Sequence, residues 1–351
     1  MTDLYELQAK LPQLSQWEKQ LVVDQLKQNL QQTIALKVIT WIVTYQCHLD
    51  CSYCYVATNK AAKATDSTIS RPNLLNALAQ ARALGAEQFS LRGGEPFLRG
   101  DLLAILGHAD TLGYQLDLFT KIALPRRQIE GLAGLRALSL GVSLDTIDPK
   151  VGDDILRRAG QTVSLMRAID RLTRTDISLT IEATVTSRTI GGLRHLIDFA
   201  RKVGVRRLHL RQVAPHSIRP VQQLLISEAQ ARETEELARC EGDDALRVTF
   251  TPAFRDTPSC GEGLNAITLL PDGRVTKCTA SLSRHPAMIY GDVNRETLVE
   301  ILAGSRLAYL LRQVADSGAD LPRKLRPAAG ALPCSMLVAA SIGKPFRDRI
   351  E

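Results

Sequence analysis

The chain lacks the features that mark membrane, secreted and fibrous proteins. No stretch approaches the roughly 18 consecutive apolar residues that a membrane span needs, and neither a low-complexity tract nor a solenoid-type repeat is present. The N-terminal segment has no basic stretch followed by an apolar one, which argues against a secretory signal there. We therefore expect a cytoplasmic protein in which thiols stay reduced.

A long block of lysine and arginine is also missing, although the formal net charge is +7. The basic residues are scattered in short groups, as on an ordinary solvated surface, so nucleic acid binding is not expected. The remaining composition, 45% hydrophobic and 23% charged over 351 residues, suits one large globular domain with an appendage, or two domains. Seven cysteines in such a chain favour metal ligands or catalysis over a disulfide framework.

Strand and helix patterns alternate about six times between residues 38 and 215. This alternation predicts a parallel sheet with right-handed crossovers, and six units rather than eight predict an open, partial (β/α)6 barrel. Beyond residue 220 the pattern changes to a helix, a short strand and a β-hairpin with Pro271, Asp272 and Gly273 at its turn. We therefore predict an α/β fold with a helical extension at 1–36, a partial barrel at 37–220 and a small α+β domain with a tail at 221–351.

Three cysteines, Cys47, Cys51 and Cys54, stand within eight positions directly after the first predicted strand. In parallel α/β folds the carboxyl ends of the strands are where active sites are built. Structural zinc sites and ordinary iron–sulfur sites take four ligands. Three cysteines therefore indicate either a zinc knuckle that takes a distant fourth ligand or a cluster with one metal position open for chemistry.

The spacing Cys47-x3-Cys51-x2-Cys54, with Tyr53 and Tyr55 around the last cysteine, resembles the radical S-adenosylmethionine (SAM) superfamily. The resemblance implies a [4Fe–4S] cluster whose unique iron binds SAM, and places Tyr53 in the SAM pocket. It further implies reductive cleavage of SAM to a 5′-deoxyadenosyl radical, which abstracts a hydrogen atom from the substrate.

The end of the second strand reads Gly93, Gly94, Glu95 and Pro96. Glycines let a backbone approach a ligand closely, and a carboxylate accepts hydrogen bonds from an ammonium group. An ordinary glycine turn is the alternative interpretation. The stretch matches the "GGEP" element of the same family, and the resemblance implies that these four residues hold the amino group of SAM.

Residues 140–145, "LGVSLD", and the following "LRRAG" resemble an element of peptide-modifying family members. The resemblance assigns SAM contacts to Ser143 and to Arg158, with Arg157 as the rival arginine. A planar guanidinium suits a carboxylate because it binds both oxygens. An ordinary strand serine and a surface arginine remain the alternative. Glu182, on the fifth strand, is a further candidate for a contact with the SAM ribose.

The third strand departs from the family pattern. Family members usually end this strand in Thr-Asn-Gly, whereas here it ends in Thr120, Lys121 and Ile122. Because this loop often faces the substrate, the departure weakens inference of the substrate by analogy. Lys121 either faces the pocket or is an exposed surface lysine.

A second set of cysteines, Cys260, Cys278 and Cys334, follows the barrel. The first two flank the predicted hairpin and resemble the start of a SPASM/Twitch extension. This resemblance implies the short Twitch form, in which the three cysteines bind one auxiliary [4Fe–4S] cluster. The fourth ligand is then Cys240, another side chain or none, and scattered structural thiols are the alternative to any cluster.

Together these features predict a radical SAM enzyme that modifies a ribosomally synthesised peptide. Radical oxidation or rearrangement of a small molecule, such as a sugar, a cofactor precursor or a tetrapyrrole, is the second hypothesis. A non-catalytic iron–sulfur electron-transfer protein is the third. Expected partners are a precursor peptide or small-molecule substrate and a reductase or flavodoxin as electron donor. A separate leader-peptide-binding protein is also expected, because the residues before the first strand are few for a complete leader-binding domain.

Overall fold

A computed structural model describes residues 36–54, 68–213, 221–252, 266–276 and 289–303. The predicted helices of the N-terminal extension lie outside these residues. The strands are β1 (Val38–Ile42), β2 (Gln88–Arg92), β3 (Gln115–Thr120), β4 (Leu138–Ser143), β5 (Ser178–Val185), β6 (Arg207–Gln212), β7 (Arg247–Thr251), β8 (Ala266–Leu269), β9 (Arg274–Thr276) and β10 (Ile289–Asp292).

Helices alternate with the first seven strands, as the sequence pattern predicts. They are α1 (Arg71–Ala83), α2 (Leu102–Thr111), α3 (Arg126–Ala133), α4 (Pro149–Leu156), α5 (Gln161–Leu172), α6 (Leu193–Lys202) and α7 (Glu228–Glu241), and α8 (Leu298–Ala303) follows β10. Within the described part of the chain, no helix combines the length and the apolar character needed to cross a membrane.

The described strands form one sheet in the order β10-β9-β8-β1-β2-β3-β4-β5-β6-β7. Neighbours from β1 to β7 are parallel, which confirms the predicted parallel α/β architecture. The sheet also extends past residue 220 at both edges, because β7 pairs with β6 and β8 pairs in parallel with β1. The domain boundaries proposed from the sequence remain a prediction.

The predicted hairpin is present as the antiparallel pair of β8 and β9, with residues 271–273 at its turn. Gly273 has φ +94°, which a residue with a side chain rarely adopts. Its N–H donates to the carbonyl of Leu270 at 3.0 Å. The turn therefore requires glycine at the position where the sequence supplies it.

The two faces of the parallel sheet differ in chemistry. One face carries fully buried apolar side chains such as Phe89 and Leu91, each of which stabilises the fold by about 1.5–3 kcal/mol. The alternate positions carry polar and charged side chains, and we call this second set the inner face. Its members used below are Ser90, Asp117, Ser143, Glu182, His209 and Arg211. Because strand residues alternate between faces, one buried core and one polar face arise from the same strands.

Local sequence signals fix the ends of several helices. The hydroxyl of Ser70 accepts a hydrogen bond from the N–H of Asn73 at 3.3 Å and caps α1. Asp148 caps α4 by accepting from the N–H of Lys150 at 2.8 Å. Arg157 follows the last residue of that helix, has φ 54° and is the one non-glycine residue of positive φ among those described. These caps set where each chain segment returns to the sheet.

Candidate active site

The loop that follows β1, residues 44–54, carries Cys47, Cys51 and Cys54 and is called the Cys loop below. Cys51 is 8% exposed, the other two are half-buried, and all three are free thiols. The N–H of Leu49 donates to Sγ of Cys47 at 3.4 Å. Burial raises the pKa of Cys51 to about 12 and also raises that of Cys47, so a metal must displace protons to bind.

The described residues give no grouping that suits a single metal ion, whereas three free thiols on one loop suit an iron–sulfur cluster. Among the described residues, no three His, Cys, Asp or Glu side chains are grouped to hold one metal ion. A single zinc would need its sulfur ligands about 3.8 Å apart, since each Zn–S bond is about 2.3 Å. A cubane separates its cysteines further, because each binds a different iron. The Cys loop therefore fits the [4Fe–4S] cluster implied by the sequence resemblance.

The GGEP loop, residues 93–96, packs directly against the backbone of the Cys loop. The N–H of Gly94 donates to the carbonyl of Thr44 at 2.7 Å, and the N–H of Glu95 donates to the carbonyl of Gln46 at 2.8 Å. A Cβ atom on Gly94 would lie 1.9 Å from that Gln46 oxygen, and Gly93 has φ +128°. Both glycines are therefore required for the contact, which rules out an ordinary solvent-exposed glycine turn.

This contact places the carboxyl group of Glu95 in the interior, where its residue is 1% exposed. One oxygen accepts hydrogen bonds from the Thr120 hydroxyl at 2.9 Å and from the N–H of Phe97 at 3.2 Å. The other accepts from the N–H of Lys121 at 3.2 Å. Burial raises the pKa of Glu95 to about 7, and these hydrogen bonds oppose the rise. A cation bound beside Glu95 would therefore stabilise the ionised form of its carboxyl group.

A second buried group joins the Cys loop to the ends of β3 and β4. Lys121 Nζ lies 3.0 Å from Oδ2 of Asp145 and donates to the hydroxyl of Tyr53, which in turn donates to the same Asp145 oxygen. The side chains of Lys121 and Asp145 are 15% and 4% exposed. We call these three residues the Lys121 triad.

The members of the Lys121 triad stabilise one another's protonation states. Burial lowers the pKa of Lys121, but Asp145, Tyr53 and Cys51 together raise it above its ordinary value, so the amine stays charged. Burial and the same carboxylate raise the pKa of Tyr53, so its hydroxyl remains a donor. Oδ1 of Asp145 accepts from the N–H of Thr184 at 2.9 Å, and the Gln161 side chain donates to the carbonyl of Lys121 at 2.9 Å. The exposed-lysine interpretation of Lys121 is therefore wrong.

Ser143, Glu182 and His209 share one row of the inner face. Ser143 is in register with Glu182, which is in register with His209. Burial raises the pKa of Glu182 to about 7, and the charge of Arg211 opposes the rise. Burial lowers the pKa of His209 to about 4, so the imidazole is neutral and bonds the Thr249 hydroxyl at 2.8 Å. Among the described residues, the side chain of Glu182 has no hydrogen-bond or ion-pair partner, so the row offers a carboxyl group beside a fixed, uncharged ring.

The arginines of the "LRRAG" stretch contact the Cys loop from its outer side. Arg157 Nη1 lies 3.1 Å from Oδ2 of Asp50, and Arg158 Nη1 donates to the carbonyl of His48 at 3.4 Å. The backbone assists, because the N–H of Ser52 donates to the carbonyl of Ile155 at 2.9 Å. Both arginines thus brace the loop in this structure, and a contact with SAM remains a prediction.

The sequence-predicted residues fall into three groups. Tyr53 and the GGEP residues meet at the Cys loop, whereas Ser143 and Glu182 lie together on the inner face. Cys260, Cys278 and Cys334 lie outside the described residues, as does Tyr55. Cys240 is exposed on the last turn of α7, where its thiol donates to Glu236 at 3.2 Å.

Sequence reasoning gave no role to Asp145 or His209, although both stand on or beside predicted strands. One signal was available for Asp145. It follows a buried strand in the quoted "LGVSLD", and charged residues that follow strand ends gather at one edge of a parallel sheet. His209 gave no comparable signal, because a lone histidine on a strand is common.

Comparison with known families agrees with this geometry. Residues 41–200 match the family described as "Radical SAM superfamily", and residues 260–323 match "Iron-sulfur cluster-binding domain" (SPASM). A curated relative, the PqqA peptide cyclase of Ruegeria pomeroyi, is 28% identical over 251 residues, covering 68% of this chain and 66% of the relative. The PqqA peptide cyclase of Streptomyces rochei is 28% identical over 250 residues, covering 68% of each. The chain thus spans about two thirds of the length of these relatives.

A further relative, the probable GTP 3′,8-cyclase of Methanococcus aeolicus, is 27% identical over 176 residues, covering 48% of this chain and 57% of the relative. Among solved structures, Streptococcus suis SuiB bound to S-adenosylmethionine superposes with a TM-score of 0.71 at 15% identity, covering 90% of this chain and 77% of SuiB. SuiB bound to the precursor peptide SuiA gives 0.67 at 15% identity, covering 83% and 71%. At these identities the solved structures support the fold alone.

The parallel α/β sheet and the docked Cys and GGEP loops, with the family match over 41–200, define a radical SAM enzyme. The chain belongs to the radical SAM superfamily and carries a C-terminal iron–sulfur domain of the SPASM/Twitch kind. Its cofactors are [4Fe–4S] clusters and S-adenosylmethionine. The family match favours the cluster interpretation of the Cys loop over a zinc knuckle.

Proposed function

We propose that this protein modifies a ribosomally synthesised peptide by radical SAM chemistry. The observation that carries the proposal is the docking of Gly94 and Glu95 onto the Cys loop, which places one buried carboxyl group beside three free thiols. An electron carrier needs thiols but has no use for this acid. The peptide substrate is supported by the relatives, since two of those described are peptide cyclases.

The residues of the Cys loop and its neighbours receive the following roles in this proposal. Cys47, Cys51 and Cys54 hold the cluster, which supplies the electron for reductive cleavage of SAM when it is bound. Glu95 accepts a hydrogen bond from the SAM ammonium group. Without SAM, burial favours a proton on this carboxyl group, and the ammonium group takes the place of that proton. Gly93, Gly94 and Pro96 fix the backbone that carries it.

The inner face completes the pocket. Ser143 and Glu182 offer a hydroxyl and a carboxyl in one row above the core. In this proposal both residues would contact SAM, Glu182 at the ribose. Arg158 is assigned to the SAM carboxylate on sequence resemblance. The parallel sheet holds these groups on rigid strand ends and thereby fixes their orientation.

The auxiliary cluster is assigned to Cys260, Cys278 and Cys334. The first two fall within the matched iron–sulfur domain, residues 260–323, whereas Cys334 lies beyond that range. When bound there, such a cluster would supply an acceptor for the electron of the substrate radical or a binding site for the substrate. A reductase or flavodoxin delivers electrons from outside, and a separate protein presents the leader of the precursor peptide.

The test of the peptide assignment is a turnover assay with a candidate precursor encoded beside this protein's gene. We expect the full-length protein, SAM and a reductant to change the mass of that peptide and to form 5′-deoxyadenosine in step with it. Cys51→Ala must abolish both products. A small-molecule substrate is the second candidate, because one relative carries the name of a GTP cyclase. Product formation with a nucleotide or tetrapyrrole, and none with the peptide, would replace the first candidate by the second.

A further inference from the structure

Lys121 is a buried cation that faces the Cys loop from the end of β3. Its amine contacts the hydroxyl of Tyr53, the residue between Cys51 and Cys54, and lies 5.0 Å from the centre of that ring. Its only ion-pair partner among the described residues is Asp145 at 3.0 Å. A charge so placed acts on whatever the Cys loop binds, because the surroundings screen it weakly.

We propose that Lys121 is a positioning residue that raises the reduction potential of the cluster held by Cys47, Cys51 and Cys54, and that Asp145 opposes this effect. The inference rests on the proposed function of those cysteines. A reduced cluster carries one more negative charge than an oxidised one, so a nearby fixed positive charge favours reduction.

Lys121 and Asp145 present opposite charges to the same residue of the Cys loop. The amine of Lys121 donates to the hydroxyl of Tyr53, and that hydroxyl donates to Oδ2 of Asp145. Oδ1 of Asp145 accepts from the N–H of Thr184 at 2.9 Å, so the carboxylate is held in place from β5. The two fixed charges therefore act on whatever the Cys loop binds with opposite signs.

A purely structural ion pair would make a different prediction. If Lys121 and Asp145 only held the loop in shape, removing either partner would damage the site in the same way. An electrostatic role predicts shifts of opposite sign. The matched variants are Lys121→Met, Asp145→Asn, the double variant and Lys121→Arg, which keeps the charge.

The experiment is a redox titration of the reconstituted full-length protein. The titration is monitored by the electron paramagnetic resonance signal that changes when SAM is added. That change identifies the cluster with an open iron and separates it from the auxiliary cluster. We expect Lys121→Met to lower the midpoint potential, Asp145→Asn to raise it, and the double variant and Lys121→Arg to lie near the wild type.

Unchanged potentials, or shifts of the same sign in both single variants, would overturn the proposal. If Lys121→Met fails to assemble a cluster, Asp145→Asn decides, since a raised potential supports the proposal and an unchanged one refutes it. A wild-type protein without any SAM-sensitive signal would instead refute the proposed function, and this inference with it.

Discussion

Two pairs of loops surround the candidate active site, and they are held by different means. The loops after β1 and β2 join through backbone hydrogen bonds, with Gly94 approaching the carbonyl of Gln46. The loops after β3 and β4 join through side-chain charges, with Lys121 facing Asp145. A backbone contact that excludes any Cβ leaves a recognisable pair of glycines in the sequence. A side-chain contact leaves only a lysine and an aspartate, which are common everywhere.

The most severe test of the backbone-held pair is Gly94→Ala. The added Cβ would lie 1.9 Å from the Gln46 oxygen, so the loops must separate. We expect a loss of unfolding free energy of about 4 kcal/mol or more and no cluster assembly. Thermal unfolding and iron analysis measure both. Gly100→Ala is the control, because a Cβ there meets nothing within 4 Å; equal behaviour of the two variants would contradict the account.

Lys121→Met removes the side-chain contact between the loops after β3 and β4. This change leaves the Asp145 carboxylate, 4% exposed, without its cation, and we expect a cost of about 3 kcal/mol in unfolding free energy. Adding Asp145→Asn should recover most of that loss, since the double variant buries no charge. Thermal unfolding of the four proteins gives the coupling. Additive losses would show that the two side chains act independently.

The pH dependence of stability tests the state of Glu95, the buried acid that lies between the two pairs of loops. The folded-state pKa of Glu95, about 7, lies above its ordinary value of 4.5, so the folded protein binds this proton more tightly than the unfolded chain. Its contribution to the unfolding free energy therefore falls by up to about 3 kcal/mol as the pH rises from about 4.5 to 7. Above about pH 7 the contribution no longer changes with pH.

Glu95→Gln should flatten that fall, measured on cluster-free protein by denaturant unfolding at several pH values. Glu182 has the same raised pKa of about 7 and should leave a residual slope. A slope that is unchanged in Glu95→Gln would mean that the carboxyl is ionised when folded.

The smallest effect is expected outside the site, at Arg157. Its φ of 54° costs a non-glycine residue roughly 1 kcal/mol, while its exposed ion pair with Asp50 returns at most about 1 kcal/mol. Arg157→Gly should therefore change the unfolding free energy by less than about 0.5 kcal/mol. Arg157→Ala, which keeps the unfavourable φ but loses the ion pair, should be less stable than Arg157→Gly in the same assay.

These contrasts explain what the sequence could and could not reveal. The alternation of strands and helices predicted the parallel sheet, because periodicity follows directly from burial. The short strand and the hairpin that contain β7 and β8 were predicted, but their pairing with the edges of the sheet was not, because a strand's sequence does not show which neighbour it joins. The cysteines and glycines were found because few residue types can replace them.

The roles of Lys121 and Asp145 could not be predicted for a physical reason. The two residues stand 24 positions apart, and only the register of β3 and β4 brings their side chains together. The departure at Lys121 from the usual family turn was visible in the sequence. Its meaning required the contact with Tyr53 on a third loop.

The central claim is that Cys47, Cys51 and Cys54 hold a cluster that cleaves SAM beside Glu95. The most direct measurement is iron per chain together with 5′-deoxyadenosine formed after anaerobic reconstitution and reduction. Two [4Fe–4S] clusters predict about eight irons with SAM cleavage. Cys51→Ala should retain about four irons and form no 5′-deoxyadenosine, whereas Cys240→Ala, which removes an exposed thiol, should match the wild type. An intact cluster in Cys51→Ala that still cleaves SAM would contradict the account.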